Sequence, residues 1–141
     1  NQACVDAALA DVVARAVRDM DRELVLLAPA LSELQAAGQR AGLAVAAEIF
    51  ADRAYTDAGT LVPRSRPGAV IHDTGAVVAH VLRMLQAGGI VAVSGKLLPT
   101  AMHSICVHGD TPGAVDNARR LRAALQAAGW QMAGLNEVIA G

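Results

Sequence analysis

Two short apolar segments joined by an amphipathic helix restrict the fold of this chain more than any other feature. ELVLLAP, residues 23–29, and LAVAAEIF, residues 43–50, each have the length and composition of a buried strand. Between them, Ser32 and Gln35 have the spacing of a capping box, which opens a helix that should end near residue 42. A strand–helix–strand unit with short joins has parallel strands and a right-handed crossover. The sequence therefore predicts an α/β fold.

The rest of the chain continues this alternation, and we expect a single α/β domain over residues 1–141. The elements predicted before the last helix are a helix over 5–20, a long polar connection over 51–72, a helix from Asp73 to Gly88, a hairpin-like insert turning at Ser94 and Gly95, and a strand HSICVH. The last helix is predicted to have Thr111 as its N-cap and Pro112 as its first residue, and to end at Gly129. Connections as long as 51–72 are uncommon and are often functional.

Composition and charge exclude several classes of protein. Apolar residues make up 54% of the chain, but it has one Phe, one Tyr and one Trp, so its core must consist of Ala, Val and Leu. A net charge of −1 offers no electrostatic footprint for nucleic acid or an anionic membrane, and no apolar run is long enough to span a bilayer. Two cysteines are too few for a disulfide scaffold, which favours the cytoplasm.

Polar clusters follow two of the predicted strands, in EIFADR and CVHGDTP, at the carboxyl ends where α/β proteins place their sites. Glu48 lies among apolar neighbours, where a carboxylate is costly unless paired; this fits a catalytic role and a structural ion pair equally. Arg53 has the shape to clamp a substrate carboxylate, or it forms a loop network with Asp52. Arg64 and Arg66 fit an anion site or a solvated loop.

The second cluster centres on His108. Its imidazole suits general acid–base catalysis, and Asp110 is placed either to orient it, to bind a metal, or to stabilise a helix N-terminus. The amides of residues 111–114 offer a place for a substrate anion. Cys106, beside His108, is interpreted as a small buried core residue rather than a nucleophile.

The segments EIFADRAYTDAGTLVPRSRPGAVI and SICVHGDTPGAV resemble the signatures of the LamB/YcsF family, and the resemblance runs from the first residues to about Ala128. It implies part of a seven-stranded barrel like that of the polysaccharide deacetylases. It also implies ATP-dependent opening of the 5-oxoproline lactam to L-glutamate, as one component of prokaryotic 5-oxoprolinase with partner subunits B and C. ATP with Mg²⁺ is implied for the complex, and metal binding by this chain is left open.

The resemblance implies a role in the reaction for each of the two polar clusters. Glu48 or His108 would handle the proton of the attacking water, Asp110 would orient His108, and Arg53 would hold the substrate carboxylate. The expected substrate-binding residues are Asp52, Arg53, Tyr55, Arg64 and Thr111.

The family's members are longer, and their acidic first motif is absent here, so the chain resembles their C-terminal portion. We expect an exposed sheet edge and hence association into an oligomer or with the remaining part of the protein. Two alternatives are a metal-dependent deacetylase or carbohydrate hydrolase, and a non-catalytic carbohydrate-related binding module.

Overall fold

The computed structural model describes residues 2–109 and 113–140. In this part of the chain the elements are a short 3₁₀ helix Gln2–Cys4, α1 Ala7–Met20, β1 Val25–Pro29, α2 Glu33–Arg40, β2 Ala44–Phe50, α3 Thr74–Ala87, β3 Gly89–Val91, β4 Leu97–Pro99, β5 Ser104–Cys106, α4 Ala114–Ala127 and α5 Leu135–Ala140. The described residues form two compact units, one within Asn1–Ile49, Ala101–Ser104 and Gly134–Gly141, the other within Phe50–Thr100 and Ile105–Ala133. No helix among them is both long and apolar enough to cross a membrane.

The predicted strand–helix–strand unit forms the centre of the first compact unit. β1 and β2 pair in parallel, from Val25 opposite Ala44 to Pro29 opposite Glu48. The Ser32 hydroxyl caps α2 by accepting a hydrogen bond from the Gln35 N–H. The α/β prediction with a parallel sheet is therefore confirmed.

The core of the first unit is built from small side chains, as the composition predicts. Its fully or nearly fully buried members are Ala10, Ala14, Leu26, Ala28, Ala37 and Leu43. Gly38 of α2 lies so close to the sheet that a Cβ at this position would stand 2.6 Å from the Leu26 side chain. Alanine and glycine thus let α1 and α2 pack directly against β1 and β2.

The described sheet has three strands in the order β1–β2–β5 and is open. Ala47 accepts a backbone hydrogen bond from His103, and Ala51 donates one to Cys106. An open sheet of three strands is not the closed seven-stranded barrel that the resemblance implies, and this detail of the prediction is not confirmed. Cys106 lies on an outer strand of this sheet and is only partly buried, so it is not the buried core residue that we expected.

The second compact unit packs α3 against α4 around Ala51, Val77, Val81, Leu121 and Leu125. The hairpin-like insert is confirmed, since β3 and β4 pair antiparallel. Gly89 is required there, because a Cβ would stand 2.4 Å from the Leu98 carbonyl oxygen. The last helix begins later than predicted, at Ala114, with Gly113 as its N-cap. Glycine reaches the N-cap φ of 84° without strain. The predicted N-cap Thr111 and the predicted first helical residue Pro112 lie outside the described residues.

Candidate functional site

The long connection between β2 and α3 is folded back on itself. Two isolated bridges, Arg53 opposite Val70 and Tyr55 opposite Leu61, turn it into a narrow antiparallel loop. The Asp52 carbonyl also accepts a hydrogen bond from the Ile71 N–H at 2.8 Å. The backbone of Asp52, just beyond the strand end, is thereby fixed.

Arg53 lies inside this loop, and its side chain is directed at backbone carbonyls. It is 6% exposed, its Nε donates to the Ala69 carbonyl at 3.3 Å, and its Nη2 donates to the Val62 carbonyl at 2.8 Å. Burial lowers the pKa of the Arg53 guanidinium, as does the nearby charge of Arg64, whereas Asp52 raises this pKa. These contacts hold Arg53 in a network within its own loop, through the Ala69 and Val62 carbonyls. The network with Asp52 and the substrate role of Arg53 stay predictions.

The central finding is a hydrogen-bonded pair of Asp52 and His108. His108 Nδ1 lies 2.8 Å from both carboxylate oxygens of Asp52, and the two side chains are 23% (His108) and 16% (Asp52) exposed. Because a carboxylate can only accept, Nδ1 carries the proton. In the neutral imidazole, Nε2 then keeps its lone pair and is the atom able to take a proton from a substrate. The partner of Nδ1 is therefore Asp52. The orienting role suggested for Asp110 stays a prediction, because Asp110 lies outside the described residues.

Two further side chains surround the His108 ring. The ring of Phe50 stacks on it, with centroids 6.0 Å apart and an interplanar angle of 23°. The exposed Arg64 also approaches the ring, with its Nη2 3.5 Å from His108 Nε2. The reactive nitrogen therefore lies beside an exposed guanidinium that can bind a carboxylate or another anion. Predicted residues Asp52, Arg64 and His108 are brought together in this cluster.

Tyr55 and His80 are buried rather than at the surface. Tyr55 is 3% exposed and His80 8%, and their rings stack with centroids 6.5 Å apart. His80 Nε2 is 3.1 Å from the Arg53 carbonyl, to which it donates. Burial lowers the pKa of His80, which keeps the imidazole neutral near pH 7, although the hydrogen bond to Arg53 acts in the opposite direction.

The remaining predicted residues have other positions. Glu48 belongs to the first compact unit, where the Ser104 hydroxyl is 3.5 Å from its Oε1. In the same unit, His103 Nδ1 accepts a hydrogen bond from the Ala47 N–H. Asp110 and Thr111 lie outside the described residues. Within residues 2–109 and 113–140, no three His, Cys, Asp or Glu side chains are grouped to hold a metal ion.

Comparison with known proteins decides the family. The profile of the LamB/YcsF family matches residues 1–140. This chain belongs to the LamB/YcsF family. Among its relatives, a protein named as the A subunit of 5-oxoprolinase from Azoarcus sp. (strain BH72) is 70% identical over 138 residues, which are 98% of this chain and 54% of that protein.

Further relatives agree with this assignment. A protein of the same name from Rhodopseudomonas palustris (strain BisB18) is 49% identical over 94% of this chain and 52% of its own length. The crystal structure of a lactam utilization protein from Thermus thermophilus superposes with a TM-score of 0.82 at 34% identity, covering 93% of this chain and 52% of that one. The chain spans about half the length of the curated relatives it matches.

Sequence reasoning missed the Asp52–His108 pair and the contacts of His80. One signal was present for the pair, because Asp52 and His108 each follow the end of a strand by two residues. Residues at the carboxyl ends of neighbouring parallel strands meet at the same edge of a sheet. His80 offered no such signal, since a lone histidine on an apolar helix face is indistinguishable from an ordinary core residue.

Proposed function

We propose that this chain is the part of a 5-oxoprolinase A subunit that carries a histidine base for opening the 5-oxoproline lactam. The observation that carries the proposal is the Asp52–His108 pair, whose hydrogen bond leaves Nε2 of His108 as the basic nitrogen. The names of the relatives supply the reaction class, and the whole enzyme would act with subunits B and C and ATP with Mg²⁺.

The chemistry of the lactam explains why both ATP and a base are needed. An amide carbon in an unstrained ring resists water, so transfer of the ATP γ-phosphoryl group to the lactam oxygen, by the complex, would activate that carbon. His108 Nε2 then takes a proton from the attacking water as the new C–O bond forms. The C–N bond breaks as the ring nitrogen receives a proton, and hydrolysis of the resulting acyl phosphate gives L-glutamate and phosphate.

Arg64 supplies the second function of the proposed site. Its exposed guanidinium beside His108 would bind the α-carboxylate of 5-oxoproline and place the ring against Nε2. We assign this role to Arg64 rather than Arg53, because Arg53 is buried and donates to two carbonyls of its own loop.

The test uses the full-length protein assembled with subunits B and C. We expect glutamate release from 5-oxoproline only when ATP is present, and we expect His108→Gln to lower kcat by about 10²–10⁴-fold. His72→Gln is the matched control, because His72 is an exposed histidine in the same unit. If the His108→Gln complex turns over as fast as the His72→Gln complex, His108 is not the catalytic base.

A further inference from the structure

The six residues from Phe50 to Tyr55 form a closed turn that carries Asp52. Tyr55 Oη accepts a hydrogen bond from the Phe50 N–H at 2.8 Å, so a side chain ties the end of the turn to its beginning. Phe50 is also the residue whose ring stacks on His108. The Tyr55 hydroxyl therefore fixes the backbone that supports both members of the Asp52–His108 pair.

Helix α3 anchors this turn through His80. The His80 ring stacks on the Tyr55 ring, and its Nε2–H donates to the carbonyl of Arg53, the residue next to Asp52. The Tyr55 backbone is held as well, because its carbonyl accepts from the Val93 N–H at 2.9 Å. Two buried aromatic side chains thus connect the turn to a helix in the core of the unit.

We propose that Tyr55 and His80 are positioning residues that hold the Asp52 carboxylate at Nδ1 of His108. The expected effect on kcat rests on the proposed function, whereas the expected effect on the position of the Asp52 carboxylate does not. Two contacts of 2.8 Å require the carboxylate to stay within a few tenths of an ångström of its place. Loss of the Tyr55 hydroxyl would leave the Phe50 N–H without its acceptor, and the strand end would shift to find another.

The direct test observes the hydrogen bond itself in the chain labelled with ¹⁵N-histidine. The Nδ1–H proton of His108, assigned by its loss in His108→Gln, should give a protected low-field resonance. In Tyr55→Phe its exchange with water should be about tenfold faster, as expected for one weakened hydrogen bond. Leu125→Ala is the control, because it removes a core side chain of the same unit outside the turn. Wild-type exchange in Tyr55→Phe would overturn the proposal.

A second variant separates the two positioning residues. His80→Gln keeps a donor for the Arg53 carbonyl but removes the ring that supports Tyr55, so faster exchange of the His108 proton is again expected. Exchange at the wild-type rate would remove His80 from the proposal. Because a glutamine can still hold Arg53, this variant also keeps the test valid if Tyr55→Phe does not fold.

Kinetics of the full-length complex complete the test. Tyr55→Phe should lower kcat for glutamate release by about tenfold with KM for 5-oxoproline unchanged, whereas Leu125→Ala should change neither at a temperature where both variants are folded. Suppose that proton exchange is faster in Tyr55→Phe but the wild-type complex cannot release glutamate. This result would refute the proposed function and support the positioning role. If instead the His108 proton of Tyr55→Phe exchanges at the wild-type rate and the wild-type complex is active, only the positioning role would be refuted.

Discussion

Asp52 and His108 are 56 positions apart in sequence, yet both carboxylate oxygens of Asp52 lie 2.8 Å from Nδ1 of His108. The contact defines the tautomer of the imidazole and leaves its basic nitrogen, Nε2, beside Arg64.

Arg64 should determine the affinity for the substrate carboxylate. Arg64→Ala in the full-length complex should raise KM for 5-oxoproline by about 10- to 100-fold, the range expected for a lost hydrogen bond to a charged group, with a smaller effect on kcat. Arg64→Lys should fall between the alanine variant and the wild type, because an ammonium keeps the charge but not the two-pronged geometry. Steady-state kinetics with varied 5-oxoproline measure both.

Arg66 provides the control for this prediction. It is exposed, two residues along the same loop, and has the same charge. Arg66→Ala should leave KM within about twofold of the wild-type value, as expected for an exposed surface charge. Equal effects of the two alanine variants would show that the loop acts only through its overall charge and would exclude a specific role for Arg64.

Arg53 should matter for the stability of the loop. Arg53→Ala removes the donor of the Val62 carbonyl and one of two donors to the Ala69 carbonyl, which keeps the Ala54 N–H, and should lower the free energy of unfolding by about 2–4 kcal/mol. Urea unfolding followed by the fluorescence of Trp130 measures this, because the one tryptophan of the chain lies in the same unit. The control is Arg120→Ala, which removes an exposed ion pair with Asp116 and should cost at most about 0.5 kcal/mol. Similar losses in the two variants would show that Arg53 is not the centre of a loop network.

His80 should make stability depend on pH. Burial lowers the pKa of His80 below its ordinary value of 6.5, so between these two pKa values the unfolded chain binds a proton that the folded chain does not. The free energy of unfolding therefore rises with pH in this window. The stability that neutral His80 contributes is fully present above pH 6.5 and is lost as pH falls toward the pKa of His80 in the folded chain. Wild-type protein should lose more stability between about pH 7.5 and pH 5.5 than His80→Gln, which does not titrate. Urea unfolding at both pH values gives the comparison, and identical losses would contradict it.

The sequence predicted the elements of the fold well and the contacts of the site only in part. The apolar segments around Ser32 were sufficient for the parallel β1–β2 pair, because length, capping and burial pattern all agree locally. The Asp52–His108 contact requires knowing that β5 lies beside β2, which no local pattern specifies. The sheet brings Asp52 to the His108 ring, a partner that the sequence did not indicate, while the role predicted for Asp110 concerns a residue outside the described part of the chain. For Arg53 the sequence left a substrate clamp and a loop network open, because no local pattern shows whether this side chain is solvated; here the folded loop buries it.

The rate of glutamate release by the Asp52→Asn complex tests the central claim most directly. Asparagine matches aspartate in size but lacks the charge that holds the Nδ1–H tautomer of His108 and stabilises the imidazolium. With full-length protein, subunits B and C and ATP, we predict a fall in kcat of about 10²–10⁴-fold, with circular dichroism and assembly unchanged. A folded, assembled Asp52→Asn complex that releases glutamate at the wild-type rate would contradict the account.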